Sequence, residues 1–360
     1  MKVTIEKNLT FADQRPPIPF KEVPEELPAR PATRRLDAAE LHQRMLLPTQ
    51  GAAELDVGLD EEGQPVLKIA NFDVGKHAFP PACKTMEVPT LGPRSDHFSK
   101  PLVTESYVPE HLDFAPIPAR LPTRLRVPRQ EGKLGNPAST VFAPDDRRVF
   151  SDTSYPWGCC GRVDTPMGYG SGVMVGPRHL LTVSHVIQWN ADGTAGWVRF
   201  RPGFFSPSEP FGRAWAVRTY FKHKVTGPTI DWYEGMYDYV CCVLDWRQGD
   251  WTGWMGAKGY TDSWDGTGYW SHVGYPSGLT FGNRPTFEGN ISLDGVWWEA
   301  DSHESMAHRG DVEGGQSGGP FFGWWAPGPY AVAVQSSHGN NASGGQDMVD
   351  LILRARSDYP

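Results

Sequence analysis

The sequence predicts an all-β protein, either a sandwich or a pair of barrels, preceded by a proline-rich segment. From Val141 onward, short runs rich in Val, Tyr, Trp and Phe alternate with Gly, Pro, Asp and Asn, which is typical of strands and turns. Helical periodicity is weak in this part, except over residues 348–356. The predicted strands are residues 172–175, 180–183, 197–200, 214–221, 239–244, 269–273 and 330–335.

A change in composition divides the chain near residue 140. All 14 tryptophans follow residue 150, 33 of the 40 glycines follow residue 140, and 19 of the 33 prolines precede it. We therefore expect residues 1–140 to be a pro-segment or accessory region and residues 141–360 to be one domain.

The first region reads as extended chain with few regular elements. An amphipathic helix is predicted over residues 33–47, because its leucines share a face and Pro48 ends it. A short strand is predicted over residues 65–72. Residues 120–129 are basic and broken by proline, which indicates an exposed linker that proteases can cut.

Charge and hydropathy exclude several classes of function. The net charge of −8 and pI of about 5.8 give no reason to expect a nucleic-acid partner. The sequence contains no run of 18 apolar residues, so no membrane span is predicted. The N-terminus lacks the apolar core of a signal peptide. No motif in the sequence predicts a cofactor or a metal.

The five cysteines do not form the framework of a small secreted protein. They are Cys83 and the adjacent pairs Cys159–Cys160 and Cys241–Cys242. Neighbouring residues in a strand face opposite sides, so each pair offers at most one inward thiol. Small buried hydrophobic residues are the favoured interpretation, and one cross-strand disulfide is the alternative.

The run from Gly314 to Pro320, GGQSGGP, indicates a nucleophile. Glycines on both sides leave the Ser317 hydroxyl uncrowded and allow a sharp turn. The amides of Gly315 and Ser317 could then point at one spot, as an oxyanion hole requires. A flexible Gly-Ser loop is the alternative interpretation.

A histidine and an aspartate with suitable contexts lie upstream. His185 closes an apolar strand in LLTVSH, and Asp238 stands directly before the apolar run YVCCVL. An aspartate at a buried edge suits the role of orienting an imidazole. Asp231 and Asp245 are rivals with less suitable contexts.

The order His185, Asp238, Ser317 separates two kinds of hydrolase. The serine also satisfies the G-x-S-x-G pattern of α/β-hydrolases, but those enzymes need Asp and then His after the serine. Only His338 follows Ser317, and the helices of that fold are absent from the pattern. The lipase or esterase interpretation therefore fails.

The motifs TVSH, YDYVCCVLD and GGQSGGP jointly resemble those of chymotrypsin-fold serine proteases, in particular the glutamyl-endopeptidase-like branch. The stretch VFAPDDR from Val141 is similar to the mature N-terminus of that branch, and the resemblance covers about residues 141–356. It implies two six-stranded antiparallel barrels with the active site between them. It also implies a secreted protein made as a zymogen, whose pro-segment binds its own protease domain.

The resemblance assigns roles to individual residues. Ser317 would attack a peptide carbonyl of a polypeptide substrate, His185 would move the proton, and Asp238 would fix the imidazole tautomer. The amides of Gly315 and Ser317 would hold the oxyanion, and Ser336 would lie on the strand that pairs with substrate backbone.

Some residues depart from the pattern of relatives. Gln316 stands where trypsin-like enzymes carry the aspartate that pairs with a new N-terminal ammonium. Gln335 occupies the expected place of the histidine that binds a substrate carboxylate, and His338 is a possible substitute. Asp311 also belongs to the predicted substrate-binding set, although it does not decide between basic and acidic specificity.

A different class of function stays open at this point. A catalytically weak protease homologue could act as a binding module, with the N-terminal region as its functional part. The intact set of His185, Asp238 and Ser317 argues against this alternative, since loss of activity usually shows as a replaced serine or histidine.

Overall fold

The computed structural model describes most of the chain after residue 81. Described in full are residues 82–91, 102–112, 140–142, 145–227, 229–295, 303–325, 328–336 and 340–360. Residues 54–59, 65–70 and 139 are described by their backbone alone. The predicted helix over residues 33–47 and the basic stretch 120–129 lie outside the described residues.

Within residues 22–81, the described part is an antiparallel hairpin of β1 (Glu54–Leu59) and β2 (Pro65–Ala70). The strand predicted over residues 65–72 corresponds to β2.

Four short strands precede the main sheets in sequence. They are β3 (Lys84–Glu87), β4 (Val103–Thr104), β5 (Ser139–Thr140) and β6 (Arg148–Val149). Each of them pairs with an element that comes much later in the chain. The N-terminal region therefore contributes strands to the fold of the second region.

The first barrel consists of six antiparallel strands. They are β7 (Cys160–Thr165), β8 (Gly168–Gly176), β9 (His179–Thr182), β10 (Arg199–Pro202), β11 (Ala214–Phe221) and β12 (Val240–Leu244). Their order is β10-β7-β8-β9-β12-β11, and pairing of β10 with β11 closes the barrel. Every residue of β12 is buried, as its unbroken run of Val, Cys and Leu predicts.

The second barrel also closes with six strands. The elements that follow the first barrel are β13 (Gly256–Lys258), β14 (Thr267–Gly274), β15 (Thr286–Gly295), β16 (Glu304–His308), β17 (Val312–Glu313), β18 (Pro320–Trp325), β19 (Gly328–Gln335) and β20 (Asn341–Gly344). The barrel order is β18-β14-β15-β16-β20-β19, closed by pairing of β18 with β19. Of the other strands, β13 extends this sheet and β17 pairs with β5.

In the described part of the chain, helices are short apart from the last one. The α-helices there are α1 (Trp232–Gly235), α2 (Gly249–Thr252), α3 (Ser277–Thr280) and α4 (Gln346–Asp358), and single 3-10 turns span Trp157–Cys159, Ser184–Val186 and Asp262–Trp264. In α4 the buried residues Met348, Leu351, Ile352 and Ala355 recur at helical spacing. The helix predicted over residues 348–356 is thus confirmed, as is the two-barrel architecture.

Residues 82–91 and 102–112, which we call the strap, pack on the two barrels. Strand β3 lies parallel to β11, and β4 lies antiparallel to β13. Tyr107 exchanges two backbone hydrogen bonds with Trp254, and their rings stack at 4.4 Å between centroids. The strap therefore joins the edge of the first barrel to the sheet of the second.

A buried ion pair fixes the middle of the strap. The Lys222 ammonium is fully buried and donates to the Pro89 carbonyl at 2.6 Å and to Asp350 at 2.6 Å. Asp347 lies 3.1 Å from the same ammonium and accepts the Leu91 amide at 2.7 Å. A buried cation needs such partners. The strap therefore supplies one hydrogen-bond acceptor to Lys222 and one donor to its partner Asp347.

All five cysteines are buried and none forms a disulfide. The favoured interpretation from the sequence, small buried hydrophobic side chains, agrees with this arrangement. Burial raises the pKa of Cys241 to about 12, so this thiol is uncharged at neutral pH.

Candidate active site

Adjacent strands of the first barrel bring His185 and Asp238 together. His185 lies in the turn directly after β9, Asp238 lies two residues before β12, and Thr182 pairs with Val240. The His185 Nδ1 atom is 2.6 Å from Asp238 Oδ2, and the His185 amide donates to Asp238 Oδ1 at 2.9 Å. Since a carboxylate only accepts hydrogen bonds, Nδ1 carries the proton and Nε2 is left as the basic nitrogen.

Asp238 is fully buried, so its charge depends on hydrogen bonds. Besides the two donors of His185, the Ser336 hydroxyl donates to Asp238 Oδ2 at 2.6 Å. Ser336 follows β19 of the second barrel. The carboxylate is therefore held from both barrels.

The two rival aspartates have structural roles. Asp231 caps α1 and accepts the Glu234 amide at 2.8 Å. Asp245 accepts the Trp215 amide at 3.0 Å. Neither hydrogen bond involves a histidine.

Ser317 lies in the tight loop between β17 and β18 and is 8% exposed. Gly315 and Gly318 adopt φ of 92° and 86°, in the left-handed region that favours glycine. A Cβ atom on Gly318 would lie 2.2 Å from the Ser171 carbonyl oxygen and 2.3 Å from Thr182 Oγ1. The glycines predicted from the sequence are thus required by both conformation and space.

Ser171 connects this loop to the first barrel, and sequence reasoning missed it. Its amide donates to the Ser317 carbonyl at 2.7 Å, and its hydroxyl donates to the Gly315 carbonyl at 2.8 Å. Its own carbonyl accepts from the Thr182 hydroxyl at 2.8 Å. Since Thr182 ends β9, the Ser317 loop is anchored beside the strand that leads to His185. The sequence feature that could have identified Ser171 is its position between two glycines.

The loop leaves two amides free in the described part of the chain. The Gln316 amide donates to the Glu313 carbonyl at 3.2 Å, and the Gly318 amide donates to the Gln335 carbonyl at 2.8 Å. The amides of Gly315 and Ser317, by contrast, donate to no backbone acceptor among the described residues. These are the two donors that the sequence predicts for an oxyanion hole.

Asp311 is 2% exposed and both of its carboxylate oxygens accept backbone amides. The donors are Phe142 at 2.7 Å and Asp146 at 2.8 Å. Burial raises the pKa of this carboxyl group. Asp311 thus anchors the segment before β6, and its predicted contact with substrate stays a prediction.

Gln335 is paired with a second histidine that sequence reasoning missed. His308 Nε2 lies 2.8 Å from Gln335 Oε1, and both residues are buried. Burial lowers the pKa of His308 to about 3, so the ring is neutral at pH 7. No motif marks His308, because it lies 27 residues before its partner. His338 lies outside the described residues.

Two further observations bear on partners. Among the residues with described side chains, no group of three His, Cys, Asp or Glu is arranged to hold a metal ion. None of the helices in the described part is long and apolar enough to cross a membrane.

Two closed six-stranded antiparallel barrels form the chymotrypsin-like fold, and the chain carries His185, Asp238 and Ser317 in that order. A curated relative agrees with the branch that the motifs indicate. The chain is 29% identical over 215 residues to the glutamyl endopeptidase of Bacillus licheniformis, covering 57% of this chain and 62% of the relative. The chain thus spans less than two thirds of that relative's length. No family model matches.

Solved structures that match part of this chain include a Glu endopeptidase in complex with MPD, at 17% identity and a TM-score of 0.49, covering 61% of this chain and all of that one. Another is the protease Anisep from Arthrobacter nicotinovorans, at 18% identity and a TM-score of 0.42, covering 54% and 91%. A third is the thermostable serine protease AL20 from an extremophilic microorganism, at 16% identity and a TM-score of 0.43, covering 55% and 98%.

Proposed function

We propose that this chain is a serine endopeptidase that works through Ser317, His185 and Asp238. The observation that carries the proposal is the hydrogen-bonded series from Ser336 through Asp238 to His185, in which both side chains lie 2.6 Å from Asp238 Oδ2. A buried carboxylate that orients one imidazole nitrogen leaves the other free to act as a base. The similarity to a glutamyl endopeptidase supports the same conclusion.

The mechanism follows the chemistry of these groups. Ser317 Oγ forms a bond to the carbonyl carbon of the scissile peptide while His185 Nε2 takes the hydroxyl proton. The amides of Gly315 and Ser317 stabilise the oxygen that becomes negative. The C–N bond then breaks as the imidazolium returns its proton to the leaving amine, and water releases the acyl group by the same route.

Fluorophosphonate labelling of the full-length chain tests this assignment directly. We expect wild type to be labelled on Ser317, and Ser317→Ala to lose both labelling and casein cleavage. His185→Ala and Asp238→Asn lower turnover by about 10⁴-fold or more. Ser343→Ala is the matched control, because that buried hydroxyl has no hydrogen-bond partner in the described structure. Normal cleavage by Ser317→Ala would refute the triad.

Absence of labelling both in the full-length chain and after cutting in the basic linker would instead favour the second class of function, a protease homologue that acts as a binding module. This outcome is separate from misfolding, since the melting temperature of the same samples reports on folding.

We propose that cleavage after glutamate is not strongly preferred unless His338 takes part. A carboxylate taken out of water needs a cation or several donors, and Gln335 and the neutral His308 offer no charge. A peptide library should show a broad preference at the residue before the cut. A sharp glutamate preference that disappears in His338→Ala, but not in the exposed control His111→Ala, would assign recognition to His338. A sharp preference that survives both changes contradicts the pocket argument.

We further propose that the chain is a secreted zymogen that is cut between about residues 129 and 141. The composition break and the basic linker support this proposal, as does the strap, a part of the N-terminal region that binds the protease barrels. With a specific cleavage sequence built into the linker, cutting should raise turnover while the strap stays in place. Equal turnover before and after cutting, against an uncut control without the sequence, would contradict the zymogen.

A further inference from the structure

Arg147 is a buried cation behind the loop that carries Ser317. Its side chain is 3% exposed and lies directly before β6. The guanidinium donates to Asp145 at 2.7 and 3.0 Å, to Glu313 at 2.8 Å and to the Gln316 side-chain oxygen at 2.8 Å. One arginine therefore connects the segment before β6 to two residues of the 313–317 turn.

Gln316 transmits this contact to the turn itself. Its side-chain oxygen also accepts the Glu313 amide at 3.0 Å, and its side-chain nitrogen donates to the Asp311 carbonyl at 3.3 Å. The backbone amide of Gln316 closes the turn onto the Glu313 carbonyl. The direction of the Gly315 and Ser317 amides on either side of Gln316 depends on this turn.

Glu313 fixes the other end of the same network. Its carboxylate accepts the amides of Gly278 and Leu279 in α3 at 3.0 and 2.9 Å, and its side chain is 11% exposed. Burying a carboxylate without a cation costs folding free energy, and removing one partner of such an ion pair leaves an uncompensated buried charge. Arg147 is the cation that contacts it.

The chain from Ser139 to Phe142 is continuous in this arrangement. Strand β5 pairs with β17, and Asp311 holds the amides of Phe142 and Asp146. The network thus forms without a free N-terminal ammonium in this region. In trypsin-like enzymes such an ammonium pairs with the aspartate directly before the catalytic serine. Gln316 stands in place of that aspartate here.

We propose that Arg147 is a positioning residue that holds the oxyanion loop in its donor geometry in the uncleaved chain. This inference rests on the proposed peptidase function. It implies that any gain from processing comes from substrate access or the pocket, since the loop behind Ser317 is already supported by an internal cation.

The test compares Arg147→Met with Arg199→Met in the full-length chain. Arg199 pairs with Asp164 on the first barrel at 3.2 Å and has a side chain that is 15% exposed, so it is a largely buried arginine ion pair whose carboxylate partner lies outside the Ser317 loop. We expect Arg147→Met to lower kcat about 100-fold with little change in KM, in the range for loss of an oxyanion donor. Arg199→Met keeps kcat near wild type at a similar loss of melting temperature. Methylguanidinium should partly restore Arg147→Met, and Arg147→Lys should be intermediate.

A second variant keeps the test decisive if Arg147→Met does not fold. Gln316→Leu breaks the contact between Arg147 and the turn but leaves the ion pairs with Asp145 and Glu313, and it should also lower kcat. Wild-type kcat in a folded Arg147→Met or Gln316→Leu protein overturns the inference. Failure of wild type to react with fluorophosphonate, both intact and after cutting in the linker, would overturn the proposed function instead.

Discussion

Asp238 is held by donors on two sides, and only one of them is the candidate catalytic base. Two hydrogen bonds come from His185 and the third comes from the Ser336 hydroxyl at 2.6 Å. Family resemblance predicts that Ser336 lies on the strand that pairs with substrate backbone, and this stays a prediction. The structure shows its hydroxyl donating to the Asp238 carboxylate.

Ser336→Ala should therefore weaken the activity without unfolding the protein. A hydrogen bond to a charged group contributes about 1.5–3 kcal/mol, so we expect kcat to fall roughly 10- to 100-fold. Steady-state kinetics on a peptide substrate measure the effect, with Ser343→Ala as the buried-hydroxyl control. An unchanged kcat would mean that the hydroxyl does not support Asp238.

Gly318→Ala should abolish activity and lower stability, because a methyl group would collide with the Ser171 carbonyl oxygen and Thr182 Oγ1. Gly193→Ala is the matched control, since Gly193 has φ of 83° but open space around it. Both variants carry the backbone strain of a positive φ, of order 1 kcal/mol, and Gly318→Ala alone carries the collision. Equal melting temperatures of the two variants would show that the loop moves aside at little cost.

At the level of elements, the strap adds strands to the barrels from a part of the chain that precedes the predicted domain. The composition break predicts a domain that starts at residue 141, and β3 and β4, which lie before it, pair with β11 and β13. Single short strands such as β4, with two residues, carry no recognisable pattern in sequence. Their pairing is decided by distant partners.

A fragment that starts at Val141 should be less stable than one that starts at Ala82. It loses the pairing of β3 and β4, the Tyr107–Trp254 stack and the Pro89 carbonyl that accepts from Lys222. A loss of several kcal/mol corresponds to roughly 10 °C in melting temperature for a domain of this size. Calorimetry on both fragments checks this, and a peptide spanning residues 82–112 should restore part of the difference. Identical melting temperatures would show that the strap is dispensable.

For the whole molecule, buried ionisable groups set the pH dependence of stability. Burial raises the pKa of Glu288 to about 8, against 4.5 for a free glutamate, and the Asp311 amide donates to its carboxylate at 2.7 Å. Between these values the folded state keeps a proton that the unfolded state has released. Stability therefore falls as pH rises across this window.

Glu288→Gln should remove this fall of stability with rising pH. Relative to the variant, wild type should lose melting temperature steadily from about pH 5 to pH 8, while the exposed control Glu110→Gln follows wild type. The charged groups that bear on Glu288 are Asp311, Asp146 and Arg147, and all three are present in both proteins. Parallel pH curves for wild type and Glu288→Gln would contradict the shifted pKa.

Two buried histidines give stability the opposite pH dependence at acid pH. Burial lowers the pKa of His272 and His308 to about 3, from 6.5 in the free residue. Unfolding below about pH 6.5 then takes up protons, so stability falls as pH drops toward 3. Both rings pack against Phe321, at 4.8 and 4.6 Å between centroids.

The sequence by itself determined the features that depend on neighbouring residues. The strands of the first barrel follow from short apolar runs between turn residues, and α4 follows from its helical periodicity. The glycines around Ser317 follow from the local conformation of one tight loop. Asp238 is predicted as the partner of His185, ahead of Asp231 and Asp245, because it stands directly before an apolar run.

Only the tertiary structure decided which distant groups meet. Ser171, Arg147 and His308 act on residues that lie 144, 169 and 27 positions away. No periodicity or spacing encodes such contacts, because barrel closure and strand register bring the partners together. The same reason explains the strap, whose strands are stabilised by pairing with β11 and β13 and not by a pattern of their own.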